Sequence, residues 1–329
     1  MDKVFKALVV NKTEDDFSLE FKNVSTGELP KGEVLIEVQY SSVNYKDGLA
    51  SIPKGKIVQS YPFIPGIDLA GTVVSSVDPR YKEGDEVIAT SYEIGVSHFG
   101  GYSQYARIPG DWVVPLPKGL TLKEAMIYGT AGFTAALSVQ RLEENGLTPE
   151  KGKVLVTGAT GGVGSIAVAI LHKRGYEVVA STGKESEHDY LHTLGANEVI
   201  TRGDVVPENI RPLDKQYWAG AVDPVGGTTL AALLSRMNYG GSVAVSGLTG
   251  GIDVATTVFP FILRGVNLLG IDSVYCPMEL RKVIWERMAN EYKPESLAQI
   301  AVESEFNDLP QHLSSILKGQ VRGRVVVKI

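Results

Sequence analysis

The twelve residues Val154-Leu-Val-Thr-Gly-Ala-Thr-Gly-Gly-Val-Gly-Ser165 decide the fold of this chain. Aliphatic residues 154–156 stop at Gly158, glycines recur at 161, 162 and 164, and an apolar helical pattern begins at Ile166. A strand, a glycine turn and a helix in that order suit a dinucleotide pyrophosphate. Glycines admit close backbone approach, and the helix start offers free N–H groups and a positive dipole end. Ala159-x-Gly161-x-x-Gly164 reads as G-x-G-x-x-G with alanine at its first place, and Thr160, Gly161, Gly162 and Val163 form its phosphate-facing part. The alternative is an ordinary crossover with no ligand. A P-loop is excluded, because no lysine follows Gly164.

Around this motif stands a βαβ unit. Val163 to Arg174 reads as a helix, Gly175 as its end, and Glu177 to Ser181 as the next buried strand. Further strands are expected at Glu198–Thr201, Ala219–Asp223, Ser242–Ser246 and Asn267–Asp272, with helices at Ser186–Leu194 and Thr228–Met237. Six strands in this rhythm describe a doubly wound parallel sheet, so the fold class is α/β. The first ~124 residues instead read as β-rich, with strands at Val34–Tyr40, Gly71–Val77, Glu86–Ala89 and Trp112–Leu116. An alanine-rich helix follows over Ala125–Gln140, and another lies near Met278–Asn290. The terminal Arg324–Ile329 strand should complete the β-rich part. The expected division is 1–124 plus 293–329 for the β-rich lobe and 125–292 for the nucleotide-binding domain.

Bulk properties agree with a globular chain. Of 329 residues, 43 % are hydrophobic and 21 % charged, and the net charge of −6 argues against a general nucleic-acid binder. Neither a signal sequence nor a membrane-length apolar run is visible. The lone Cys276 forms no internal disulfide, and a cytoplasmic protein with no membrane partner is expected.

The cofactor's 2′ position should face the end of the second strand, ~20 residues beyond the glycines. An acid there would favour NAD. This chain instead has Ser181-Thr182-Gly183-Lys184, a set of hydroxyl, N–H and ammonium donors for an anion, which predicts NADPH. Arg202 is either a second cation at that phosphate or a surface arginine. Loops at the strands' carboxyl ends place Asp223–Gly226, Ser246–Leu248 and Ile271–Ser273 along the cofactor; each is also a turn that a ligand-free fold needs, and Ser246, Gly247, Leu248 and Ser273 are the favoured contacts. Thr130 and Thr134 are candidates for the nicotinamide and, equally, for helix capping.

The motifs Ser41–Asp47 (SSVNYKD), Phe63–Asp68 (FIPGID), Gly129–Thr134 (GTAGFT), Val156–Gly164 (VTGATGGVG), Met237–Gly241 (MNYGG) and Gly323–Lys328 (GRVVVK) narrow the family. Together they resemble the YhdH/YhfP group of quinone oxidoreductases, which includes acrylyl-CoA reductases, in the medium-chain dehydrogenase/reductase superfamily. The resemblance implies a GroES-like catalytic lobe, a Rossmann NADPH-binding lobe, a cleft between them and a homodimer. It also favours the phosphate role for Arg202 and makes Arg324 a cofactor contact, against a strand-edge charge.

The zinc-dependent branch uses cysteine and histidine ligands. Here Gly66-Ile67-Asp68 stands for its Gly-His-Glu, Asn44 falls where a cysteine is usual, and no zinc is expected. His188-x-x-x-His192 reads as a solvated helix face rather than a metal site. A short-chain reductase is disfavoured, since none of the fourteen tyrosines has lysine four residues on.

Tyr45 is the catalytic candidate, able to position the nicotinamide, hydrogen-bond a carbonyl or give a proton; the plainer reading is a tyrosine packed at a strand end. Asp47 and Asp68 are secondary candidates, with holding the lobe's turns as the alternative role of each. The implied substrate is a small electrophilic acceptor: acrylyl-CoA, a related enoyl thioester or enone, or a quinone. Lys54, Lys56 and Arg107 are available to CoA phosphates. A non-catalytic NADPH sensor on the same fold is the alternative.

Overall fold

The computed structural model describes residues 2–14 and 16–329. Its chain divides into two units, Met1–Thr130 with Val274–Glu286 and Ala301–Ile329, and Ala131–Ser273 with Arg287–Ile300.

The first unit opens with β1 (Val4–Lys12) and β2 (Phe17–Ser25), an antiparallel pair. There follow β3 (Val34–Ser42), α1 (Tyr45–Ala50), β4 (Asp68–Ser76), β5 (Glu86–Thr90), β6 (Tyr105–Ile108) and β7 (Val113–Pro115). The alternation of β3 is genuine: Val34, Ile36 and Val38 are buried and pack with Leu69, Val87 and Ala106. Trp112 belongs to a 3-10 turn, Gly110–Trp112, rather than to the strand expected there.

Next comes α2 (Leu122–Glu144), interrupted at Gly129, whose φ of 51° and ψ of −156° break the helix. Beyond it lie β8 (Val154–Val156), α3 (Gly162–Lys173), β9 (Val178–Thr182), α4 (His188–Thr193), β10 (Glu198–Thr201), α5 (Arg202–Val205), β11 (Trp218–Asp223), α6 (Gly227–Arg236), β12 (Met237–Val245), α7 (Phe259–Arg264) and β13 (Asn267–Gly270). The sheet order β10-β9-β8-β11-β12-β13 is parallel throughout. This is the doubly wound arrangement that reverses direction between β8 and β11. Leu155, Val179, Ala221 and Val243 bury against Leu230, Leu233 and Leu234 of α6. A sheet covered in this way reads as continuous apolar runs, which is why its strands were visible in sequence.

After α8 (Met278–Ala289) the chain returns to the first unit with β14 (Ala301–Glu305), α9 (Leu309–Leu317) and β15 (Arg324–Lys328). β15 lies between β14 and β3, in the order β14-β15-β3-β4-β5-β7 with β6 on β3, so the terminal strand completes the β-rich sheet. The division departs from 1–124/293–329 and 125–292 for local reasons. Val274–Glu286 joins the first unit because Tyr92 N–H donates to Val274 O and Arg281 donates to Thr90 Oγ1 at 3.1 Å. Residues 287–300 join the second because Arg287 and Tyr292 grip Glu143 of α2 at 2.9 and 2.8 Å.

Candidate functional site

In the second unit the glycine-rich turn is built as its sequence demands. Gly158 has φ 53°, and a Cβ on Gly164 would lie 2.3 Å from Gly158 O, so only glycine lets α3 begin so close to the turn. Gly161 is the N-cap of α3 and no side chain caps it, which leaves the positive end of the helix for an anion. Thr160 is buried, while Gly161, Gly162 and Val163 are half-buried along the turn.

At the end of β9, Ser181 and Thr182 are buried, and Thr182 Oγ1 accepts from Lys184 N–H at 3.1 Å. The Arg202 guanidinium lies over Gly183, where a Cβ would meet its Nε at 2.8 Å and Cζ at 2.9 Å. The Arg202 side chain has no hydrogen bond or ion pair with the described residues and is exposed. Ser181, Thr182, Gly183, Lys184 and Arg202 are thus brought together.

At the end of β12, Ser246 Oγ is buried with no hydrogen-bond partner among the described residues. Such a group in a native fold calls for a ligand or a water. Gly247 is required, since its Cβ would lie 2.0 Å from Pro224 O, and Leu248 is 65 % exposed. Ser273 Oγ accepts from Thr134 Oγ1 at 2.8 Å, and both are buried. The open helix start, free guanidinium and orphaned hydroxyl fit a phosphate-bearing dinucleotide.

The first unit holds a buried polar cluster. Asp68, at the start of β4, accepts from Ser42 Oγ (2.6 Å), Asn44 Nδ2 (2.7 Å), Thr130 Oγ1 (2.5 Å) and Thr130 N–H (2.9 Å). It thereby caps the part of α2 that starts after Gly129. Asp47, in α1, accepts from Asn44 N–H and Ile67 N–H at 2.9 Å each. Its carboxyl is pushed up to about 7, by burial first and by the Asp68 charge second. Burial, then the Asp47 charge, raises the Tyr102 phenol well above its ordinary value; this phenol donates to Ser42 O at 3.1 Å.

Arg324 is corrected by this geometry. It is 2 % exposed, donating to Ile127 O, Val43 O, Asn44 Oδ1 and Ser42 Oγ, and lies 3.7 Å from Asp68. Burial pulls its pKa down while both carboxyls oppose this, and the guanidinium stays charged. Four of its N–H donors are met by protein acceptors, and it sits inside this cluster rather than as a strand-edge charge. Thr130 stands at the helix start that Asp68 caps, with its hydroxyl shared between Asp68 and Ser91.

Tyr45 opens α1 and is 49 % exposed; its phenol has no partner among the described residues. Lys54 and Lys56 are exposed in the following loop, and Arg107 is half-buried on β6.

Sequence reasoning missed Tyr102 and gave Ser42 and Gly129 no role beyond their motifs, although a glycine within a helical pattern is itself a signal. The cluster does not fit zinc: its carboxylates are filled by N–H and O–H donors, and the single Cys276 is buried beside Pro277. Among the described residues no three His, Cys, Asp or Glu side chains are grouped to hold a metal.

Known proteins share this architecture. Residues 30–118 match the alcohol dehydrogenase GroES-like domain and residues 162–290 the zinc-binding dehydrogenase family. Bacillus subtilis YhfP, solved with NAD bound, is 63 % identical with a TM-score of 0.98, covering 99 % of this chain and 100 % of its own. Escherichia coli YhdH, solved with NADPH, is 48 % identical with a TM-score of 0.94 over 98 % and 99 %. The acrylyl-CoA reductase AcuI of Ruegeria pomeroyi is 52 % identical over 99 % of both chains.

Proposed function

Since the chain belongs to the medium-chain dehydrogenase/reductase superfamily, in the group of YhfP, YhdH and AcuI, we propose that it is an NADPH-dependent oxidoreductase reducing an activated C=C. The sharpest substrate is acrylyl-CoA or a related short enoyl thioester, with enones and quinones as the wider class. The likeness to AcuI over 99 % of both chains carries this reading. Nothing observed favours a non-catalytic sensor.

NADPH supplies a hydride, which goes to the β-carbon while a proton goes to the α-carbon. Charge spreads meanwhile into the thioester carbonyl, where a hydrogen-bond donor suffices and zinc takes no part. Tyr45 is the proposed donor, to the carbonyl or of the proton, because its phenol is exposed and has no partner among the described residues. NADPH-dependent rates should be robust with acrylyl-CoA or a simple quinone and poor with a simple aldehyde, and lower for Tyr45→Phe. Strong aldehyde reduction with neither conjugated acceptor turned over would defeat the assignment, and undiminished Tyr45→Phe rates would remove the phenol.

The preference for NADPH rests on Lys184 and the unpaired Arg202 over Gly183, since the relatives are solved with both NAD and NADPH. Lys184→Ala is expected to raise the NADPH KM about tenfold, the loss of one charge-assisted contact, and to leave that for NADH nearly unchanged. Equal effects on both would contradict this.

The proposed assembly is a cytoplasmic homodimer. β13 ends its sheet, with Leu268 42 %, Ile252 78 %, Ile262 69 % and Leu263 56 % exposed nearby. An unpaired edge flanked by apolar side chains suits a second copy across a two-fold axis. Sedimentation equilibrium reads the state directly, and a monomer at micromolar concentration would rule the dimer out.

A further inference from the structure

At the carboxyl end of β11 the chain buries an acid that neither the phosphate-facing groups nor the polar cluster uses. Asp223 is fully buried, and burial pushes its carboxyl above the ordinary value. It is nonetheless held as an acceptor at both oxygens. Thr157 Oγ1 donates to Oδ1 at 2.5 Å, Val225 N–H to Oδ1 at 3.0 Å and Gly226 N–H to Oδ2 at 3.1 Å.

The three donors come from two different loops. Thr157 leaves β8, the sheet neighbour of β11, and its own N–H donates to Val222 O at 3.1 Å. Val225 and Gly226 lie in the turn that leaves β11. One carboxyl group therefore ties together the ends of two adjacent parallel strands. The turn it shapes fits between two other segments. A Cβ on Gly158 of the glycine-rich turn would stand 3.1 Å from Val225 Cγ2, and one on Gly247 would stand 2.0 Å from Pro224 O. Ser246 N–H donates to Asp223 O at 3.0 Å, which fixes the third loop to the same residue.

We propose that Asp223, with Thr157, is a positioning residue that sets the spacing between the glycine-rich turn and the Ser246–Leu248 loop, so that both engage one dinucleotide. This rests on the reading of the second unit as an NADPH site. The turn serves the part of the ligand common to NADPH and NADH, so the residue acts on the affinity of both. Lys184 differs, acting at the extra phosphate alone.

Thr157→Val removes the hydroxyl at nearly constant volume, and Asp223→Asn sets an amide N–H against the Gly226 N–H. Kd for NADPH and NADH is measured by titration of the whole chain, together with kcat at saturating NADPH. Thr157→Val and Asp223→Asn should each weaken both cofactors by about tenfold, a loss on the scale of one buried hydrogen bond. Thr157→Ser, which keeps the hydroxyl, should stay within about twofold of wild type, and kcat should be preserved. Should Asp223→Asn not fold, the two Thr157 variants carry the test. Unchanged Kd in folded Thr157→Val, a Thr157→Ser as weak as the valine, or a fall in kcat alone would overturn the proposal. A wild-type chain that binds neither dinucleotide would overturn the NADPH reading, and this proposal with it. Wild-type binding with unaltered variants would overturn this proposal only.

Discussion

Gly129→Ala is expected to lower the unfolding free energy by about 3 kcal/mol or more. Two costs combine. Gly129 holds φ 51° and ψ −156°, a region that residues with a Cβ rarely occupy. The added carbon would also sit 2.5 Å from Asp68 Oδ2, 2.6 Å from Ser42 Oγ and 2.7 Å from the Arg324 guanidinium. All three belong to a buried cluster with nowhere to retreat. Urea denaturation checks the figure, and a midpoint equal to wild type would refute it. Gly84→Ala serves as a comparison, because a Cβ there meets nothing within 4 Å although its φ is also positive, at 89°. Its smaller loss would isolate the backbone cost from the collision.

Arg324→Met should cost about 3–5 kcal/mol, the range for removing one partner of a buried ion pair. The loss strands Asp68 and leaves Ile127 O, Val43 O and Asn44 Oδ1 without this donor. Its size should depend on pH. In the folded chain Asp47 keeps its proton up to about 7, whereas an unfolded aspartate releases it near 4. Between those values the folded chain binds more protons, so this group's contribution to stability is full below about 4, falls as pH climbs to about 7, and is constant beyond. Without Arg324 the cluster has one positive charge fewer against its carboxylates. Arg324→Met should therefore cost more at pH 8 than at pH 5, as read from urea midpoints at the two values. An equal or greater cost at pH 5 would show that the guanidinium does not offset those charges.

The parts of the fold that sequence revealed are those whose physics is local. β8, β9 and β11 are short apolar runs buried on both faces, and glycines mark the turns between them. β2 escaped although Phe17, Leu19 and Phe21 alternate with Ser18, Glu20 and Lys22; the run is short and none of its residues is fully buried. α1 spans six residues and is held by Asn44 and Asp47, polar groups that also suit a loop. The proposed phosphate-facing set was legible because Ser181 to Lys184 are adjacent and Arg202 stands one strand further on. The polar cluster was not. Asp47, Asp68 and Arg324 come together only when β15 lies beside β3, and arginine is so seldom buried that neither expected role, cofactor contact or strand-edge charge, placed it in a core cluster.

The cap that Asp68 places on α2 also bears on engineering. Cysteine and histidine can be written into positions 44 and 67 on paper, to give this chain the metal that its distant relatives are named for. A cation bound by Asp68 would have to draw the carboxylate away from Thr130 N–H and from Ser42 Oγ, and its charge would be added beside Arg324. The helix start would be uncovered at the moment the new ion arrived. Grafted ligands alone would then trade one positive partner for another, and a successful design must first redesign the helix entrance and dispense with the guanidinium.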